Sequence, residues 1–157
     1  MELVKTNNFK KRSVFYDGKF YYKVWHFNDI SWLQNHVSLL KEYAPNLVVD
    51  YYSDENSMTL VMNKIIGRPA NTYAHTTEFI DFIYNACIKN INETGPYKHG
   101  DWVLSNMIVD KDNNVQFIDW DNINVFGHNG AIKKLHLDLE SAFGENFKRY
   151  LDDTASI

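Results

Sequence analysis

Two runs of aromatic and β-branched residues, Arg12–Asp17 and Lys19–Trp25, meet at Asp17-Gly18, and no other feature constrains the fold as much. An Asp-Gly step accepts the positive backbone angles of a tight two-residue turn, whose twist matches that of the strands it joins. The chain therefore starts from an antiparallel hairpin, and the first 27 residues read as strands. Asn28 or Asp29 then caps a helix over Ile30–Tyr43. Its Leu33, His36, Val37, Leu40 and Tyr43 recur at helical spacing on one face, and Pro45 follows its end. Two more strands, Leu47–Tyr52 and Met58–Met62, flank the polar turn Ser53–Ser57. The result is a β-β-α-β-β block over residues 1–63.

Residues 64–70, with Gly67-Arg68-Pro69, read as a connector, and residues 71–157 as a second, more helical part. A helix over Thr76–Asn92 carries the apolar stripe Phe79, Ile80, Ile83, Cys87 and Ile91 and stops at Thr94-Gly95-Pro96. Short strands follow at Met107–Val109 and Val115–Asp119 around an Asp- and Asn-rich turn. From Ala131 the pattern is helical again, with Leu135, Leu139, Phe143 and Phe147 spaced for packing and a break at Gly144. Cys87, the one cysteine of 157 residues, excludes an internal disulfide framework and a cysteine-rich zinc site. No apolar run approaches the ~18 residues of a membrane span, and Met1–Arg12 lacks a signal-peptide core. A net charge of −4 argues against sequence-blind nucleic-acid binding. The expectation is a soluble α+β protein of a reducing, cytoplasmic compartment.

The chemistry concentrates in His99–Asp121. Asp110 and Asp112 belong to a turn, where aspartate is expected for backbone reasons alone. Asp101 and Asn106 instead bracket a tight loop ahead of an apolar strand, and Asp119 ends the next strand. A hairpin returns its end to where its first strand began, so Asp119 should land beside that loop. Carboxylates and a carboxamide converging there are hard oxygen ligands of the kind that suits Mg²⁺. A remaining carboxylate could orient a hydroxyl and accept its proton. Asparagine is common in this chain, 18 of 157 residues, so a lone Asn carries little weight.

His99-Gly100-Asp101, Asn106 and Ile118-Asp119-Trp120-Asp121, in this order and spacing, resemble the catalytic loop and metal-binding motif of the protein-kinase-like fold. The likeness is closest to the aminoglycoside and choline phosphotransferase branch, with the small atypical kinases also similar. The resemblance implies two lobes. One would be a small N-terminal antiparallel sheet with one helix, the other a reduced helical C-terminal lobe, with a hinge over 64–70. It also implies roles. Asp101 would be the catalytic base, Asn106 and Asp119 metal ligands, Asp121 a ligand to a second ion, and His99 a support for the loop. Lys23, in Phe20–Trp25, resembles the strand lysine that pairs nucleotide phosphates. Backbone groups of Asn63 and Ile65 would meet an adenine edge, and Asp138 resembles an aspartate that braces the catalytic loop.

The sequence departs from that pattern in places. No glycine-rich loop precedes the hairpin, where Lys5-Thr6-Asn7-Asn8-Phe9-Lys10 stands, and the first helix offers His36 where a glutamate is usual. The implied function is ATP- and Mg²⁺-dependent transfer of the γ-phosphoryl group to a hydroxyl of a small molecule or protein. The alternative is a weakly active or inactive nucleotide-binding module that works through a protein partner. A reduced C-terminal lobe also leaves a homodimer as one way to complete the acceptor side.

Overall fold

The computed structural model describes residues 1–155, in two compact units, Met1–Ile65 and Ile66 onward. The class is α+β. The first unit is a five-stranded antiparallel sheet in the order β1-β2-β3-β5-β4. Its strands are β1 (Glu2–Asn7), β2 (Arg12–Tyr16), β3 (Phe20–Trp25), β4 (Val48–Ser53) and β5 (Met58–Asn63). The β2–β3 hairpin turns at Gly18, whose φ of 95° suits glycine. Asp17 Oδ1 accepts the N–H groups of Lys19 and Phe20, both at 2.8 Å. β1 falls within the first 27 residues, which read as strands, but the sequence does not mark its bounds. It is an edge strand exposed at almost every residue and lacks the alternation that marks a half-buried strand.

Helix α1 (Ile30–Tyr43) is capped by Asp29, which accepts the Trp32 N–H at 3.2 Å. It buries Leu33, His36, Val37 and Leu40. Each leucine so buried contributes about 1.5–3 kcal/mol over an exposed one. Register places Lys23 between Val14 and Leu60, and Trp25 between Arg12 and Met58. All six of these side chains are buried.

The second unit packs helices α2 (Thr77–Glu93), α3 (His128–Phe143) and α4 (Glu145–Ala155) around one apolar core. Thr76 caps α2 by accepting the Phe79 N–H at 3.1 Å, and the predicted stripe Phe79, Ile80, Ile83, Cys87 and Ile91 is the buried face. Lys98 closes the other end of α2. Its buried ammonium donates to Ile91 O at 2.5 Å and Thr94 O at 2.8 Å, satisfying carbonyls that a helix end leaves open. Desolvation lowers its pKa. Gly144 (φ 62°) separates α3 from α4.

Short strands carry the polar segments over this core. β6 (Arg68–Pro69) pairs with β8 (Met107–Val109), which pairs with β9 (Val115–Phe117). β7 (Tyr97–Lys98) pairs with β10 (Asn124–Val125). Two sequence readings are corrected here. Arg68-Pro69 is a strand rather than part of a bare connector. β9 ends at Phe117 rather than Asp119, because Asp119 takes a left-handed conformation (φ 56°) that no strand continues through. Among the described residues no helix is long and apolar enough to cross a membrane.

Candidate active site

Two loops over the second unit's core form one hydrogen-bonded cluster. His99 is fully buried and stitches them together. Its Nε2 bonds Ile118 O at 2.8 Å, and its Nδ1 faces the Asp101 N–H at 3.2 Å. A carbonyl can only accept and an N–H can only donate, so the imidazole carries its proton on Nε2 and is neutral. The ring also packs edge-on against Trp120 at 4.6 Å. From the other side Ile118 N–H donates to Asn106 O at 2.8 Å. The residue before Asp119 is thereby fixed to both ends of the Asp101–Asn106 loop.

Within that loop, Asn106 Nδ2 donates to Asp101 Oδ2 at 3.0 Å and to Asp101 O at 3.2 Å. Asn106 is buried, and with its amide nitrogen on Asp101 the carboxamide oxygen points the other way. Gly100 adopts φ 82°, and a Cβ there would run into Asn122 O. Both conditions demand glycine. Asp119 precedes the single-turn helix Trp120–Asn122, which its carboxylate does not cap. Asp121 follows in that turn, half-buried. The far side of the loop is held by α3. Asp138 Oδ2 accepts the Trp102 N–H at 3.0 Å, while Oδ1 takes the Lys134 ammonium at 2.5 Å.

The cluster therefore unites Asp101, Asn106 and the Asp119–Asp121 turn, with His99 beneath and Asp138 behind. Two participants carried no sequence signal used above. Asn122 donates through Nδ2 to Asp101 Oδ2 at 3.2 Å. Lys134 stands one helical turn before Asp138, a spacing that was readable as an ion pair. The donor set fits a magnesium ion, since Asn106 offers a carboxamide oxygen and Asp119 a carboxylate. Among the described residues no three His, Cys, Asp or Glu side chains gather as a metal cage. A cation here would complete its shell with water and phosphate, as Mg²⁺ does.

The remaining residues singled out from the sequence lie in the first unit. Lys23 is 4% exposed, with its ammonium 6.0 Å from the Trp25 ring centroid. His36 is 3% exposed and stacks on Trp32 at 4.8 Å. Asn63 ends β5, with its N–H donated to Leu47 O at 2.8 Å and its side chain to Asn46 O. Ile65 closes the unit, half-buried.

No family model matches the chain, and no curated protein matches it. Solved structures do. Aminoglycoside phosphotransferase APH(3'')-Id from Streptomyces rimosus superposes with a TM-score of 0.68 at 13% identity, over 99% of this chain and 84% of that one. The same enzyme in complex with ADP and streptomycin gives 0.67 at 14% identity, over 92% and 82%. Monomeric WbdD gives 0.56 at 15% identity, covering 85% of this chain but only 37% of its own. At such identities the likeness is one of fold. This chain has the protein-kinase-like fold, in the form found in aminoglycoside phosphotransferases.

Proposed function

We propose that this protein is an ATP- and Mg²⁺-dependent phosphotransferase that moves the γ-phosphoryl group to a hydroxyl. The observation that carries the reading is the Asp101–Asn106 bond at 3.0 Å, tied through Ile118 to the Asp119 turn. This transfer asks for positioning and charge neutralisation more than for covalent chemistry. Asp101 would orient the acceptor hydroxyl and take its proton. Asn106 and Asp119 would hold the metal, with Asp121 toward a second ion, and the ion would neutralise charge on the phosphates. His99 and Asp138 hold the loop. Lys23 would align the phosphates, and His36 would support it from α1.

With its N–H donated to Leu47 O, Asn63 would offer its carbonyl to an adenine amino group. The Ile65 N–H, two residues on, would donate to the ring. A bound ADP and streptomycin in a structure of the same fold support a nucleotide and a small hydroxyl-bearing acceptor. A protein acceptor, a homodimer and a cytoplasmic site of action belong to the same proposal. The test is ATP turnover with and without Mg²⁺, to water and to a panel of aminoglycosides and protein acceptors, in wild type and Asp101→Asn. Mg²⁺-dependent turnover lost in the variant supports the reading. Equal turnover in both removes Asp101 as the base. ATP·Mg²⁺ should also raise thermal stability, by about 2.7 kcal/mol at a hundredfold excess over Kd. Binding without turnover would leave the nucleotide-binding module.

A further inference from the structure

Asp101 is gripped by a second carboxamide, from the metal-side turn rather than from its own loop. Asn122 Nδ2 lies 3.2 Å from the same Oδ2 that receives Asn106 Nδ2 at 3.0 Å. A carboxylate only accepts hydrogen bonds, so both amides must present their nitrogen and the orientation of each is chemically fixed. Among the described residues no donor meets Oδ1. One oxygen is thus clamped from two directions, and the two oxygens are held unequally. The backbone of Asn122 takes part as well, for its carbonyl fills the space that a side chain on Gly100 would need. Asn122 touches the Asp101 loop twice, once at the backbone just before the carboxylate and once at the carboxylate itself.

We propose that Asn122 is a positioning residue for the phosphoryl transfer. It holds the Asp101 carboxylate with Oδ1 toward the acceptor hydroxyl and locks that carboxylate to the turn bearing Asp119 and Asp121. This rests on the reading of Asp101 as the base. The turn Trp120–Asn122 is one helical turn with Asp119 at its head, so Asn122 and Asp121 share its short backbone. A shift of the metal-binding turn would then carry Asn122 off Asp101 and release the base. Base orientation is in this way made conditional on the conformation of the metal-binding turn. Positioning of this kind acts on the chemical step and leaves nucleotide binding alone.

The experiment compares wild type, Asn122→Ala, Asn122→Gln and Asp101→Asn. It measures ATP turnover to water and to the best hydroxyl acceptor, and ATP·Mg²⁺ affinity by thermal shift. The expected result is a kcat about tenfold lower in Asn122→Ala, the loss of one hydrogen bond to a charged group. KM and affinity for ATP should stay at the wild-type value, and Asn122→Gln, which restores an amide donor, should recover part of kcat. A merely structural asparagine would lower melting temperature and affinity together and would not be rescued by glutamine. Wild-type kcat in Asn122→Ala, with Asp101→Asn inactive, overturns the positioning role and leaves Asp101 as base. Equal rates in wild type and Asp101→Asn, or no turnover in wild type, overturn both.

Discussion

Asp101 and Asp110 lie in neighbouring turns of one unit, each among asparagines, and are held in opposite ways. Asp110 Oδ1 accepts the backbone N–H groups of Asp112 and Asn114, both at 2.9 Å. These donors lie two and four residues away, and the Asn114 bond is the main cause of a pKa below the usual carboxylate range. Asp101 is held by side-chain amides five and 21 residues away. The turn aspartate is held mainly by the backbone of its own turn, with local side chains of Asn114 and Gln116 adding to it. An aspartate held by side chains, one of them 21 residues away, has its orientation set in part by tertiary structure. Residue type is the same in both, and the origin of the donors separates them.

The largest effect that could break this contrast is on rate. Asp101→Asn should lower turnover by about 10²–10⁴-fold, the usual contribution of a positioned general base, while Asp110→Asn leaves turnover unchanged. A comparable loss in both would erase the distinction. Next in size is Gly100→Ala. Strain at a positive φ together with the collision at Asn122 O should cost about 2–3 kcal/mol in chemical denaturation. Retention of wild-type stability would mean that the two loops are not tightly joined.

Asp138→Ala should come third. It leaves the Trp102 N–H without its acceptor beside a fully buried indole, at a cost of about 1–3 kcal/mol. The smallest effect concerns the turn aspartates as a class. Asp17 resembles Asp110 in being held locally, and bonds from Phe20 N–H, the Tyr22 hydroxyl and Lys19 N–H bring its pKa down to about 2. A carboxylate with a depressed folded-state pKa adds stability above its unfolded value, about 3.9, and loses it as pH falls toward the folded one. Wild type should therefore melt above Asp17→Asn at pH 6, and the gap should close between about pH 4 and pH 2. A gap that persisted at pH 2 would show that the side chain acts through something other than its charge.

Features that repeat at a fixed period were legible in the sequence. The α2 stripe and the buried face of α1 follow from helical spacing alone, since each residue there has the same neighbour whatever the rest of the chain does. The Asp17-Gly18 hairpin was equally local. What could not be read is set by single backbone angles and long-range donors. The alternation of Val115 and Phe117 runs on to Asp119 in the sequence, yet a left-handed residue ends the strand two positions earlier. Asn122 was lost among 18 asparagines, because nothing short of the folded loop brings it to Asp101. The ribbon of Tyr97–Lys98 with Asn124–Val125 is too short to leave a pattern. For the site, the motif named residue types in order, whereas the direction of each hydrogen bond came only from the structure.

Cys87 gives the second unit an internal reporter of its own cohesion. The thiol sits at the centre of α2's inner face with no solvent exposure, and burial pushes its pKa well above the ordinary value. The thiolate is the reactive form, so an alkylating reagent can reach and modify this sulfur only when the helix opens. Under mild conditions the labelling rate divided by that of the unfolded chain equals the fraction of molecules open at any moment. One native cysteine thus converts a mass-spectrometric time course into an opening free energy for the unit that carries Asp101, without a probe being introduced.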